Sequence, residues 1–282
     1  MKNALSIDLE DWYHPELVKN HLSGEPESQV EQAVEPILRL LDQYGVRATF
    51  FVLGDVVRKK PDLLRTLYQK GHEIASHGMT HSPLWDLDYN TFDRELKDFN
   101  ALIGETLGNN VKIFGFRAPT FSLDNRTRFA LQCLIDNGYQ YDSSIFPVRN
   151  YMYGVTGAPC SIYRPDPDDV GSSSDVSEIL EFPLTICEFG KIKIPVSGGF
   201  YLRVLPYFML KAMLKRVNRI RPFVIYLHPW ETFAGTPRVK EMGYKNTFIT
   251  YYGMKSCLKK VERLLRDFEL TSLKEVIGEK SR

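Results

Sequence analysis

Apolar positions along this chain fall into two rhythms. Runs such as ALSI (4–7), FFVL (50–53) and FVIYL (223–227) are apolar throughout or nearly so, as expected of strands buried on both faces. Between such runs lie amphipathic segments with apolar residues three and four apart. ILRLLDQYG and LLRTLYQKG are two, each closed by a glycine able to take the left-handed conformation past a helix end. These rhythms predict strands over 4–9, 48–54, 73–77, 113–117, 179–186, 192–197 and 223–228. They predict helices over 30–44, 61–70, 91–107, 125–137, 206–218 and 251–267. Alternation of strand and helix predicts an α/β fold, a parallel sheet covered by helices. Residues 150–178, rich in Gly, Pro, Asp and Ser, interrupt the alternation and are expected to form a long loop, functional or mobile. No Pro/Ser linker marks a boundary, so one domain over 1–282 is expected.

Composition narrows the picture by exclusion. A length of 282 residues suits a β/α barrel, and 43% hydrophobic with 25% charged residues is ordinary globular usage. A net charge of +1 gives no electrostatic reason to expect nucleic acid or an anionic membrane as partner. No apolar run approaches the roughly 20 residues a membrane span needs. The N-terminus turns acidic at Asp8, unlike a signal peptide. The four cysteines are scattered without a CxxC pair. Reduced thiols and a cytoplasmic protein are the expectation.

The chemistry lies in what ends each apolar run. ALSI ends in Asp8-Leu-Glu10-Asp11, and HEIAS in His77 and then His81. KIFGF ends in Arg117-Ala-Pro119, YQY in Asp142-Ser-Ser, and FVIYL in His228-Pro-Trp-Glu231. In a parallel barrel the carboxyl ends of all strands share one face, where active sites lie. Two imidazoles and a carboxylate suit a divalent metal such as zinc, which lowers the pKa of water to about 7 and polarises a carbonyl. A second carboxylate can take a proton and a histidine from another strand can give one, so the set matches hydrolysis of an amide or ester. Singly, each residue has a plainer reading. HxxxH alone is weak, a lone His228 on an apolar strand is more often a core residue, the acidic cluster fits a helix cap, and Arg117 fits a structural ion pair. Five strand ends carrying such residues together favour a site. His14, His21 and His72 show no such convergence and are expected at the surface.

These motifs resemble the polysaccharide deacetylases of carbohydrate esterase family 4, the NodB-homology fold, over nearly the whole chain. SHGMTH looks like that family's metal motif, which implies His77 and His81 as ligands. FRAP resembles the motif whose arginine orients the catalytic base, implying that role for Arg117 with Pro119 behind it. YLHPWE resembles the motif that supplies an acetyl-pocket leucine and a general acid, here Leu227 and His228. YDSS falls where the family places an aspartate that tunes the acid, implying Asp142. The first motif departs from the family's usual Thr-Phe-Asp-Asp: SIDLEDW makes Asp8 the base and leaves the metal carboxylate open between Glu10 and Asp11. Strand alternation puts Asp8 and Glu10 on one face. Longer matches (DLEDWYH, GFRAPTFS, PVSGGFYLR) resemble a branch linked to exopolysaccharide biosynthesis, with its own C-terminal extension, here from about residue 230.

The resemblance implies a deformed barrel of about seven parallel strands. It also implies metal-dependent removal of an acetyl group from an N-acetylated saccharide, a polysaccharide or its precursor. Zinc is the first expected ion, with cobalt or nickel as alternatives, and de-O-acetylation would use the same site. Trp12, Tyr13, Trp85 and Trp230 flank the motifs and suit stacking on pyranose rings. Glu231 is a candidate to hold His228 or a sugar hydroxyl. The glycines of PVSGGF either admit a substrate to the backbone or form an ordinary turn. Two rivals remain: a hydrolase of small linear or cyclic amides, and a catalytically silent glycan-binding protein.

Overall fold

The structure, a computed structural model, describes residues 1–22, 24–150 and 152–280. Its contacts divide it into two compact units, Met1–Ala48 with Val196–Arg282, and Thr49–Pro195. In chain order the strands are β1 (Asn3–Leu9), β2 (Thr49–Val52), β3 (Glu73–Ser76), β4 (Gly115–Phe116), β5 (Tyr141–Asp142), β6 (Leu180–Glu181), β7 (Ile186–Phe189), β8 (Ile192–Pro195), β9 (Val224–Leu227) and β10 (Leu270–Thr271).

In the first unit β1 is central, pairing in parallel with β9 on one side and β10 on the other. All seven residues of β1 are buried, as the unbroken apolar run requires. In the second unit β2, β3, β4, β5 and β6 pair in parallel in sequence order. The α/β, parallel-stranded expectation holds. Helix Val30–Tyr44 has the predicted bounds: Val30, Ala33, Val34, Ile37, Leu38 and Leu41 form its buried stripe, and Gly45 ends it at φ 63°.

Several expectations are corrected. The segment 179–186 is not one strand but β6 and the start of β7. β7 and β8 form an antiparallel ribbon around Gly190-Lys191, with Gly190 at φ 60°, because a two-residue connection permits only antiparallel pairing. The helix expected over 251–267 starts at Met254. The chain turns at Gly253 (φ 79°), where a Cβ would lie 2.7 Å from the Arg203 carbonyl oxygen. Gly243–Tyr251 forms a separate helix before that turn. Within the expected 150–178 loop, Val155, Ala158, Tyr163 and Val170 are buried, and the Tyr163 hydroxyl donates to the Val170 carbonyl at 2.6 Å. His72, expected at the surface, is 5% exposed and packs 5.0 Å from the Phe50 ring. Among the described residues no helix is long and apolar enough to cross a membrane.

Candidate active site

In the first unit the carboxyl ends of β1 and β9 lie side by side because the two strands pair in parallel, with Ile7 opposite Leu227. The residues that follow them therefore meet. His228 Nε2 is 3.7 Å from Asp8 Oδ2 and 3.6 Å from Glu10 Oε1. Asp8 and Glu10 thus do share a side, as strand alternation predicts. On the other edge of the ring, His228 Nδ1 is 3.0 Å from Glu231 Oε2, which also accepts from the His228 backbone N–H. Pro229–Glu231 forms one helical turn, and the three-residue spacing brings Glu231 back onto His228. Glu231 is held in turn by Arg203, whose Nε donates to Glu231 Oε1 at 2.8 Å, with both side chains 2% exposed. Arg203 also donates to the carbonyls of Tyr252 (2.6 Å) and Ile249 (2.7 Å), linking Glu231 to the turn at Gly253.

The electrostatics follow from this packing. Burial opposes a charge on His228, but the carboxylates of Glu10, Glu231 and Asp8 outweigh it and push the imidazole up to about 9. Burial also opposes the Glu231 charge, yet Arg203 and then His228 bring that carboxyl down to about 2. A half-buried imidazole that holds its proton at neutral pH is suited to give one up as an acid.

The remaining first-unit candidates divide. The Asp11 Oδ1 accepts from the backbone N–H groups of Trp12 (3.2 Å) and Gln29 (3.0 Å), so its carboxylate caps the loop after β1. Glu10, by contrast, takes the Trp230 indole N–H at 3.1 Å. Trp230 is not an open platform: it is 6% exposed and stacks on His228 with centroids 5.4 Å apart and planes 19° apart. Leu227 is fully buried as the last residue of β9. The PVSGGF glycines pack closely against Tyr226 of β9. A Cβ on Gly198 would lie 1.9 Å from the Tyr226 carbonyl oxygen, and the Tyr226 N–H donates to Ser197 at 2.8 Å, so backbone packs on backbone.

In the second unit β3 ends in the histidine motif. His77 Nδ1 is 2.8 Å from the Arg117 carbonyl oxygen. Because that oxygen only accepts, Nδ1 carries the hydrogen and Nε2 keeps its lone pair, the tautomer a metal ligand needs. The His81 ring lies edge-on 5.4 Å from that of His77, on a backbone at φ 59°, an uncommon conformation for histidine. Glu95 steadies the loop between them, accepting from the Met79 N–H and the Thr80 hydroxyl.

Arg117 is fully buried at the end of β4. Its Nε and one Nη donate at 2.9 Å to the Ser143 carbonyl and hydroxyl, and its guanidinium lies 4.1 Å from the Phe51 ring centre. Pro119 is buried in the next turn, where a Cβ on Gly78 would approach its ring at 3.7 Å. Asp142 is fully buried and accepts the Ser144 hydroxyl at 2.6 Å and the Ser144 N–H at 3.0 Å. It is not an exposed substrate contact. Beside it lies Glu181, a residue the sequence reading passed over. Burial, and then the facing Asp142, hold the Glu181 carboxyl well above its ordinary range, and burial raises Asp142 too. Both shifts disfavour the two facing carboxyls being charged together.

Comparison with known proteins adds a separate line of support. Residues 24–141 match the Polysaccharide deacetylase family, and residues 143–278 match a Domain of unknown function (DUF3473). The chain is 45% identical over 67 residues to a chitooligosaccharide deacetylase of Rhizobium leguminosarum bv. trifolii. That match covers 24% of this chain and 31% of that protein, under a third of its length. A structure from Mycobacterium smegmatis described as a polysaccharide deacetylase aligns with a TM-score of 0.58 at 18% identity, covering 98% of this chain and 90% of that one. Puue allantoinase aligns with a TM-score of 0.59 at 14% identity, covering 97% and 87%. At these identities the two structures show a shared fold and nothing about chemistry.

Proposed function

This chain belongs to the polysaccharide deacetylase family, carbohydrate esterase family 4, and shares its fold; from that premise we propose that it hydrolyses the N-acetyl group of an acetylated saccharide. The observation that carries this reading is His228, whose Nε2 faces Asp8 and Glu10 while Glu231 holds its Nδ1. Amide hydrolysis needs a base for the attacking water and an acid for the departing amine. Asp8 accepts the water's proton. Because Glu231 takes the Nδ1 hydrogen, His228 presents its other proton from Nε2, on the side of Asp8, and gives it to the amine nitrogen. Arg117 orients the base, and Leu227 and Pro119 shape the acetyl pocket.

Glu10, His77 and His81 are the proposed donors for a divalent ion, zinc first, with cobalt or nickel as alternatives. The donor chemistry fits: His77 has its Nε2 lone pair fixed by the Arg117 carbonyl, and Glu10 is a carboxylate steadied by an indole N–H. Asp11 is left out because its carboxylate already caps backbone. A bound ion of this kind supplies Lewis acidity toward an acetyl carbonyl oxygen.

The test is acetate release from N-acetylated chitooligosaccharides by the full chain, with elemental analysis of wild type, Glu10→Ala and Asp11→Ala. The expected result is acetate from wild type, metal lost in Glu10→Ala and metal kept in Asp11→Ala. No acetate after loading with zinc, cobalt or nickel overturns the deacetylase reading, and turnover of allantoin instead establishes a small-amide hydrolase. We further propose that the substrate is an exopolysaccharide precursor in the cytoplasm; recovery of the native protein from periplasm or medium overturns that proposal.

A further inference from the structure

Within the first unit, and inside the 143–278 segment of unassigned function, the turn at Gly253 opens onto a cavity of about 890 Å³. Two features of its lining set its chemistry. One is aromatic. Tyr244 and Phe248 stand one turn apart on the helix Gly243–Tyr251, and Tyr252 follows the helix. Tyr244 is 98% exposed, and Phe248 and Tyr252 are each 48% exposed. Phe248 packs on Tyr252 with centroids 4.6 Å apart, so the rings form a standing platform rather than separate loose side chains.

The other feature is charge. Among the described residues four cations line the cavity, Arg203, Arg238, Lys255 and Lys260, and no aspartate or glutamate does. Two of the four are spent on the walls. Arg203 is committed to Glu231 and to the Ile249 and Tyr252 carbonyls, and Lys260 Nζ donates to the carbonyls of Leu202, Arg203 and Leu205. Arg238 and Lys255 are exposed and have no carboxylate partner among the described residues, Arg238 lying over the Tyr251 ring at 5.5 Å. Clustering exposed aromatic rings with cations that lack a carboxylate partner around one concavity gains a chain nothing in stability.

We infer that this cavity binds an acidic glycan. The faces of Phe248, Tyr252 and Tyr244 take pyranose rings, and Arg238 and Lys255 take the carboxylates of uronic acid residues. Concavity favours a saccharide over a lipid surface, which would be met by a protruding apolar face. The assignment does not depend on the deacetylase reading, since it needs neither a metal nor an acetyl group.

The test is calorimetric binding of hexagalacturonate, which has no acetamido group to engage a deacetylase site, to the full chain, with maltohexaose as the neutral control. Hexagalacturonate is expected to bind, and maltohexaose to bind at least about tenfold more weakly. The double variant R238Q/K255Q, whose exposed side chains leave the fold intact, is expected to lose about tenfold in affinity at an unchanged melting midpoint. Phe248→Ala is expected to lose binding of the same order, and Glu10→Ala to bind as wild type. Equal binding of both hexasaccharides, or unchanged binding in R238Q/K255Q, overturns the inference. So does pelleting with phosphatidylglycerol vesicles, or a dimer broken by Phe248→Ala, in a chain that binds no hexagalacturonate.

Discussion

Arg203→Met should be among the most destabilising conservative-volume changes in the chain. Arg203 and Glu231 form an ion pair at 2.8 Å with both side chains 2% exposed. Removing one partner of such a buried pair leaves the other uncompensated and costs roughly 3–5 kcal/mol. The Glu231 carboxyl gives an independent estimate, since it is held at about 2 against an ordinary 4.5, chiefly by Arg203 once the opposing effect of burial is overcome. At 1.36 kcal/mol per unit that difference is about 3 kcal/mol, part of which belongs to His228. The sign follows from a folded-state pKa below the unfolded one: the stability is present above about pH 4.5 and is lost as pH falls toward 2. The gap between wild type and variant should therefore narrow by roughly 1 kcal/mol from pH 7 to pH 4. Urea unfolding followed by circular dichroism and fluorescence measures this, provided the two transitions coincide. The double variant Arg203→Met/Glu231→Leu should recover part of the loss, because the buried lone carboxylate is gone. It should not recover all, because the Ile249 and Tyr252 carbonyls still lack the donor. A loss below about 1 kcal/mol at pH 7, or a gap that widens in acid, would refute the argument.

Three further outcomes are expected. Glu181→Gln should raise stability at pH 8–9 relative to wild type and flatten its pH dependence. A raised carboxyl contributes stability that is complete below its ordinary range and lost as pH climbs, and thermal melts across pH 5 to 9 read the difference. Gly198→Ala should cost at least about 1–3 kcal/mol, because its Cβ would sit 1.9 Å from the Tyr226 carbonyl oxygen. Gly45→Ala, with open space but φ 63°, should cost only about 1 kcal/mol, and equal melting points for these two variants would contradict the packing argument. Asp8→Asn should lower acetate release roughly 10²–10⁴-fold while bound metal stays near wild type, and full activity would remove Asp8 as the base.

The sequence by itself determined the elements whose signal is local. The stripe of Val30–Tyr44 and the apolar run of β1 need only their own side chains to declare a helix and a buried strand. It also determined the candidate site's residue types, because functional groups that end strands are readable once the strands are. Strand alternation alone placed Asp8 and Glu10 on one side. It did not show that backbone engages the Asp11 carboxylate, or find the support behind His228. The Asp11 side chain turns to the Gln29 N–H, 18 residues away in sequence, and Arg203 reaches Glu231 across 28. Reading 179–186 as one strand hid the strand end at Glu181, so its carboxyl beside Asp142 went unseen. The exposure of Tyr244, Phe248 and Tyr252 was equally invisible, since a tyrosine on a helix reads the same whether it packs or faces solvent. Hydrophobic periodicity reports which face of an element is buried, whereas pairing of charges and partition of aromatic rings depend on what folds against that face, and only tertiary structure supplies it.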